Sequence, residues 1–316
     1  LKPQAGRIGG DAGRAILSYA AAAALIWWLC RGIRLSDLES NFGRADLSLF
    51  LPVTIATFFC WFFGENLLYS RLFSLFHAKT TFREMLPISA AFYFLQIING
   101  GLAAGVLIFL MQKRKGVPWL EGGFAMLFMS MIDFQIILLM TLLASKYIGR
   151  VPLDLPWRYL IIATLLWWLT VWFWLRGRPA WEPARRIYDW APMSCFRKAR
   201  FSDFLYLMLI RAPIFLMQGM SLYLTLMSFG VHVPLGYVLA VNPGIILVKS
   251  LPITPLGLGS EQAAAVLSFQ SFCPRGTLLA MSLAASTLGL FLRLGAGVFA
   301  APALAGFKAP FRSASE

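Results

Sequence analysis

Long apolar runs separated by short basic loops set the plan of this chain. Runs of roughly 20 or more residues, poor in charge, lie near 14–30, 49–76, 85–111, 122–145, 157–175, 203–228, 235–272 and 276–304. About 20 apolar residues are what a helix needs to cross a hydrocarbon core ~30 Å thick. With no water at that depth to satisfy backbone N–H and C=O groups, each run is predicted to be helical. The first follows Lys2, Arg7 and Arg14 and ends on Trp27, Trp28, Leu29 and Cys30, without a small-residue cleavage site. It therefore reads as a retained helix and not as a signal peptide.

Two runs are interrupted. Asn99, Gly100 and Gly101 break 85–111, and Asn242 with Pro243, then Pro252, Pro255, Gly257 and Gly259, break 235–272. Fourteen residues of helix reach only about 21 Å, short of a full crossing, so each half is predicted to enter the membrane and turn back. Irregular backbone at that depth is tolerated only where protein or a watery cavity surrounds it.

Composition agrees with a lipid solvent: 59% of residues are hydrophobic and 13% charged, against about 45–50% and about 25% in soluble domains. The fold class is an all-α polytopic membrane protein, with six full crossings and two broken re-entrant helical hairpins. Lys and Arg number 28 against 14 acids, a net charge of +14. With no soluble domain to carry a nucleic-acid site, this excess is an orientation signal, because basic residues gather on cytoplasmic loops. If both broken runs return to their own side and the N-terminus is cytoplasmic, 18 basic residues fall inside and 7 outside. If all eight runs cross, the split is 11 against 14, with no useful bias. The hairpin arrangement follows the positive-inside rule and places both termini in the cytoplasm.

Three crossings and one hairpin in each half turn the second half upside down, which predicts an inverted repeat. An offset of 156 aligns Pro87 with Pro243, Gly101 with Gly257 and Pro118 with Pro274. The organisation is a first membrane half over 1–150 with hairpin 85–111, a cytoplasmic linker over 176–202, and a second half over 151–316 with hairpin 235–272. The linker carries seven Lys and Arg residues beside Trp181, Tyr188 and Trp190. Trp181, Ala184, Tyr188 and Ala191 fall on one helical face, as expected of a helix lying on anionic headgroups.

Cys30, Cys60, Cys195 and Cys273 form no CxxC pair, and the two histidines, His77 and His232, lie far apart. Neither a disulfide framework nor a metal site is indicated. No P-loop motif occurs, so ATP is not expected to drive the protein directly. Neither a catalytic constellation nor a cofactor is expected, and the chain is read as a non-enzyme. The chemistry instead rests on ionisable residues inside the apolar runs, which are costly in lipid and face a cavity or one another. These are Glu65, Asp133, Arg211, Lys249, Glu261 and Arg293, three acids and three bases. Arg293 is expected to pair with Glu261, or with Asp133.

The densest group of special residues is Leu251-Pro252-Ile253-Thr254-Pro255-Leu256-Gly257-Leu258-Gly259-Ser260-Glu261. A helix starting near Gly259 and Ser260 at membrane depth presents unpaired N–H groups and a positive dipole end, a place for an anion. Glu261 in that first turn either satisfies the dipole or contacts a substrate. This segment, with Pro274 and Phe291-Leu292-Arg293-Leu294-Gly295, resembles the second-half signature of the lysylphosphatidylglycerol synthase transmembrane-region family. That family includes the flippase domain of the multiple peptide resistance factor and hopanoid-associated relatives. The resemblance implies the membrane part without the aminoacyl-transferase domain, in a bacterial inner (cytoplasmic) membrane, handling lipid.

The expected function is a flippase-like transporter that moves a polar lipid, anionic or zwitterionic, between leaflets by alternating access. Its two inverted halves would rock around a midplane cavity lined by both hairpins. The alternative is a non-transporting partner subunit of a lipid-modifying system. The expected substrate-binding residues are Arg211, Lys249, Arg293, Glu65, Asp133 and Glu261, with Asn99, Asn242, Thr254, Gly257, Gly259 and Ser260 on the two hairpins. The partners are membrane lipids, and a second copy of the chain or a lipid-modifying enzyme is left open.

Overall fold

The structure is a computed structural model that describes residues 42–43, 45–98, 100–143, 157–175, 181–250 and 259–304. Among these residues every regular element is helical. In chain order the elements are α1 (Leu47–Phe76), α2 (Phe82–Leu95), α3 (Gly100–Lys115), α4 (Trp119–Leu143), α5 (Trp157–Leu175), α6 (Glu182–Asp189), α7 (Ser194–Lys198), α8 (Phe201–Ser228), α9 (Leu235–Ser250), α10 (Ser260–Phe269) and α11 (Arg275–Leu304). A 3₁₀ turn, Ala191–Met193, joins α6 to α7.

Four described helices are long and apolar enough to cross a membrane: Leu47–Phe76, Trp119–Leu143, Phe201–Ser228 and Arg275–Val298. They correspond to four of the six expected crossings. The expected crossing at 157–175 falls on α5, whose apolar stretch Ile161–Phe173 is shorter than those four. The first expected crossing, 14–30, lies outside the described residues. Leu51, Ile55, Phe59 and Phe63 recur every four residues along α1 and all are exposed, the stripe that a lipid-facing helix presents. The chain is a multi-pass membrane protein.

Between the long helices stand two pairs of short ones. Helices α2 and α3, of 14 and 16 residues, are packed together across a turn at 96–98. Helices α9 and α10, of 16 and 10 residues, are also packed together. None of the four reaches ~30 Å at about 1.5 Å per residue. The sequence placed one interruption at Asn242 and Pro243, but α9 runs through both. Proline removes one intrahelical hydrogen bond, and in a membrane helix neighbouring groups compensate. The other expected interruptions in this run, Pro252, Pro255 and Gly257, lie outside the described residues, and α10 begins at Ser260.

Local chemistry sets the helix ends. Asp46 Oδ1 accepts from the backbone N–H groups of Ser48 and Leu49, capping α1. At α2, Thr81 and Glu84 form a reciprocal capping box. Glu84 also receives Lys115 from the end of α3, Nζ to Oε1 at 2.7 Å, which closes the open end of that helical pair. The lysine and the Thr81 donors hold the Glu84 carboxyl down to about 2, so it stays ionised.

The chain divides into two compact units. The first comprises Leu1–Phe58, Gln135–Trp167 and Pro213–Gly289; the second comprises Phe59–Phe134, Trp168–Ala212 and Leu290–Glu316. In the first unit Tyr237 of α9 lies against Phe269 and Phe272, and its hydroxyl donates to the Ser268 carbonyl at 2.9 Å, fixing α9 to α10. In the second unit Phe128 meets Phe76, Phe196 and Phe204 edge to face, drawing together α1, α4, α7 and α8.

The linker departs from the expected arrangement. Ala184 and Tyr188 are buried in the protein, whereas Trp181, Ile187 and Trp190 are exposed. Arg197 pulls the segment into a knot by donating to the carbonyls of Tyr188, Trp190 and Ala191. Lys198 Nζ donates to the Phe76 carbonyl at the end of α1, where a cation complements the helix dipole. This folding turns Ala184 and Tyr188 inward, so they do not share one outward face with Trp181.

Candidate functional site

The second unit buries a charged network in its apolar interior. Trp61, Glu65 and Tyr69 recur every four residues on α1 and so share one face of that helix. Arg211 comes from α8, Asp133 from α4 and Tyr93 from α2. Asp133 accepts Arg211 with both oxygens, Nε to Oδ1 at 2.7 Å and Nη2 to Oδ2 at 3.1 Å. Arg211 Nη1 donates to Glu65 Oε1 at 3.0 Å, and the Tyr93 hydroxyl donates to Glu65 Oε2 at 2.7 Å. The guanidinium carbon lies 5.1 Å from the Trp61 ring centroid, within cation–π range. The Arg211 and Glu65 side chains are 6% and 8% exposed, and that of Asp133 is 30% exposed.

A charge removed from water is stable only when it is paired and hydrogen-bonded. Planar guanidinium suits this task because its fork matches a carboxylate by two parallel bonds. Asn66, one residue beyond Glu65, ties the same helix to α2: it accepts from Ser89 Oγ and donates to the Phe82 carbonyl. These bonds hold α1 and α2 in register, so that Glu65 and Tyr93 meet.

The first unit holds a second pair. Lys249 Nζ at the end of α9 donates to Glu261 Oε1 in the first turn of α10 at 2.8 Å, with both side chains partly exposed. Gly259 precedes α10 at φ +90°, a conformation open to glycine and costly for other residues. Its N–H donates to Gln262 Oε1 at 2.6 Å, and Gln262 Nε2 donates to Ser286 Oγ of α11. Asn242 is buried in α9, and its Nδ2 has no hydrogen-bond partner among the described residues.

Of the residues singled out in the sequence, the structure gathers Glu65, Asp133 and Arg211 into one network. It brings Lys249 and Glu261 together beside Gly259 and Ser260. Asn99, Thr254 and Gly257 lie outside the described residues. Glu261 is engaged by Lys249 and Asp133 by Arg211, while the buried Nε of Arg293 has no hydrogen-bond partner among the described residues. Sequence reasoning missed Trp61, Tyr69 and Tyr93. The first two had a signal, their spacing of four on either side of Glu65; Tyr93 had none, since only the packing of α2 on α1 brings it near. No cluster of three or more His, Cys, Asp or Glu side chains suited to a metal ion occurs among the described residues.

No curated protein matches the chain at a significant level. The family model described as the lysylphosphatidylglycerol synthase TM region matches residues 15–297, a range that includes both short-helix pairs, the linker and all six charged positions. This multi-pass chain, with its ion pairs inside apolar helices, belongs to the lysylphosphatidylglycerol synthase transmembrane-region family.

Proposed function

We propose that the protein moves a polar lipid between the two leaflets of a bacterial inner membrane by alternating access, without being an enzyme. The observation that carries this reading is the Arg211–Asp133–Glu65 network, since charge buried within lipid-facing helices is expensive and belongs to transport pathways and proton relays. Membership of a lipid-related family supports the same substrate class.

The helix order adds to it. A long helix, two short ones and a long one, with 30, 14, 16 and 25 residues in α1 to α4, are followed later by 28, 16, 10 and 30 residues in α8 to α11. Trp119 and Arg275, which begin α4 and α11, stand at the same offset of 156 as Pro87 and Pro243. Transporters of this kind are built from inverted repeats containing discontinuous helices. In this reading both short-helix pairs are re-entrant, both termini are cytoplasmic, and Lys249, Glu261 and the α10 N-terminus contact the headgroup. Arg293 is a further cation offered to a headgroup in this reading.

The test is lipid movement in proteoliposomes made with the purified full chain and headgroup-labelled phospholipids, read by a membrane-impermeant quencher. Protein-dependent loss of the protected inner-leaflet signal is expected. No movement under any ion gradient or membrane potential overturns the transporter and favours a non-transporting partner of a lipid-modifying system.

A further inference from the structure

The network of the second unit is unbalanced. Among the described residues, the charged groups that face one another there are Glu65 from α1, Asp133 from α4 and Arg211 from α8, with Tyr69 of α1 and Tyr93 of α2 the other titratable groups against them. Two carboxylates meet one guanidinium. Fully ionised, these described groups sum to one net negative charge in an apolar interior, where such a charge is heavily penalised.

We propose that this cluster is a proton-binding site with Asp133 as the acceptor, and that filling and emptying it couples the protein to a transmembrane proton gradient. The coupling rests on the transporter reading above; the proton site itself does not.

The geometry selects Asp133 over Glu65. Both oxygens of Glu65 are held, one by Arg211 Nη1 and one by the Tyr93 hydroxyl, and its side chain is 8% exposed. Asp133 is 30% exposed and is the less enclosed of the two carboxylates. Its Oδ2 receives the longer of the two Arg211 bonds, 3.1 Å against 2.7 Å at Oδ1. A proton arriving from water bonds to Oδ2 and displaces the Nη2 contact. Oδ1 keeps its Nε–H bond, and the proton later returns to water with no other bond changed. In the protonated state Arg211 and Glu65 form a balanced pair, and the double tie between α8 and α4 becomes a single one.

The same geometry disfavours a metal ion. Each of the four carboxylate oxygens already faces an N–H or O–H donor, whereas a cation such as Ca²⁺ needs six or more oxygens at about 2.3–2.6 Å. A proton needs one lone pair.

The experiment is an infrared pH titration of the purified full chain in lipid nanodiscs. A protonated-carboxyl C=O band should appear as pH falls, shift on ¹³C-aspartate labelling of the wild type, disappear in Asp133→Asn and persist in Glu65→Gln. Because labelling uses the wild type, the result stands even if Asp133→Asn fails to fold. A band insensitive to aspartate labelling, or unchanged in Asp133→Asn, overturns the proton site. In proteoliposomes an imposed pH gradient should change the wild-type lipid-movement rate several-fold, an effect removed by a protonophore and missing from Asp133→Asn. A titrating Asp133 in a wild type that moves no lipid keeps the proton site and rejects the transporter. Lipid movement that responds to a sodium gradient and not to a pH gradient overturns the coupling.

Discussion

Asp133 and Arg211 are 78 residues apart in sequence and meet as a two-bond fork inside the apolar part of the second unit. Glu65 holds the third nitrogen, Nη1, of the same guanidinium. The cation thereby ties three helices together, and the consequences of removing each member differ in sign of charge.

Arg211→Met should be the most damaging change in this network. It leaves two carboxylates facing each other without a counter-charge, and breaking a buried pair in this way costs about 3–5 kcal/mol. Asp133→Asn and Glu65→Gln each leave one acid for one base and should cost clearly less. Denaturant or thermal unfolding of the three variants in one detergent gives the order. Equal losses for all three would contradict the charge-balance argument.

Gly297 on α11 is placed where the ring of Phe94 comes close. A Cβ built there would lie 2.5 Å from Phe94 Cδ2, which a rigid ring cannot relieve without moving. In an exposed helix interior Gly→Ala gains about 1 kcal/mol of propensity. Here Gly297→Ala should instead lower the melting temperature, Gly297→Val should lower it further, and Phe94→Leu should restore part of the loss. A Gly297→Ala variant more stable than wild type would remove the close approach as a packing constraint.

His77, just past the end of α1, is buried beside Glu121, its Nε2 3.5 Å from Oε2. Burial pushes its pKa down against the pull of Glu121, with Lys198 adding to the downward push. The unfolded chain therefore takes up a proton at higher pH than the folded chain does. Stability linked to this group is full above about 6.5 and declines as pH falls below that value. Thermal melts from pH 7.5 to 5 should show a smaller acid-side loss in His77→Phe than in wild type. Parallel curves would sink the assignment.

Loop 112–121 should be cytoplasmic, and 229–234 and 273–276 external, because this arrangement gives the 18 to 7 division of basic residues. Single cysteines at Gly116 and Arg275 in a background without the native cysteines, labelled from one side of intact cells, decide it. External labelling at 116 with cytoplasmic labelling at 275 rejects the two re-entrant pairs.

The sequence alone determined the solvent, the helices and the family. Apolar runs of membrane length leave the backbone no choice but helix, and the Pro–Gly segment from Leu251 to Gly259 marked a family whose model matches residues 15–297. The six charged positions were legible too, because an ionisable residue in an apolar run stands out whatever the fold. Tertiary structure decided who meets whom. Arg211 finds Asp133 and Glu65, and Lys249 takes Glu261, the acid expected for Arg293. It also decided that α9 continues through Asn242 and Pro243, and that Tyr93 completes the network. The physical reason is that a charge inside an apolar run of membrane length is costly whatever its neighbours, and a sequence displays such runs. Pairing depends on distances of about 3 Å between residues 12 to 146 positions apart, which only helix packing sets.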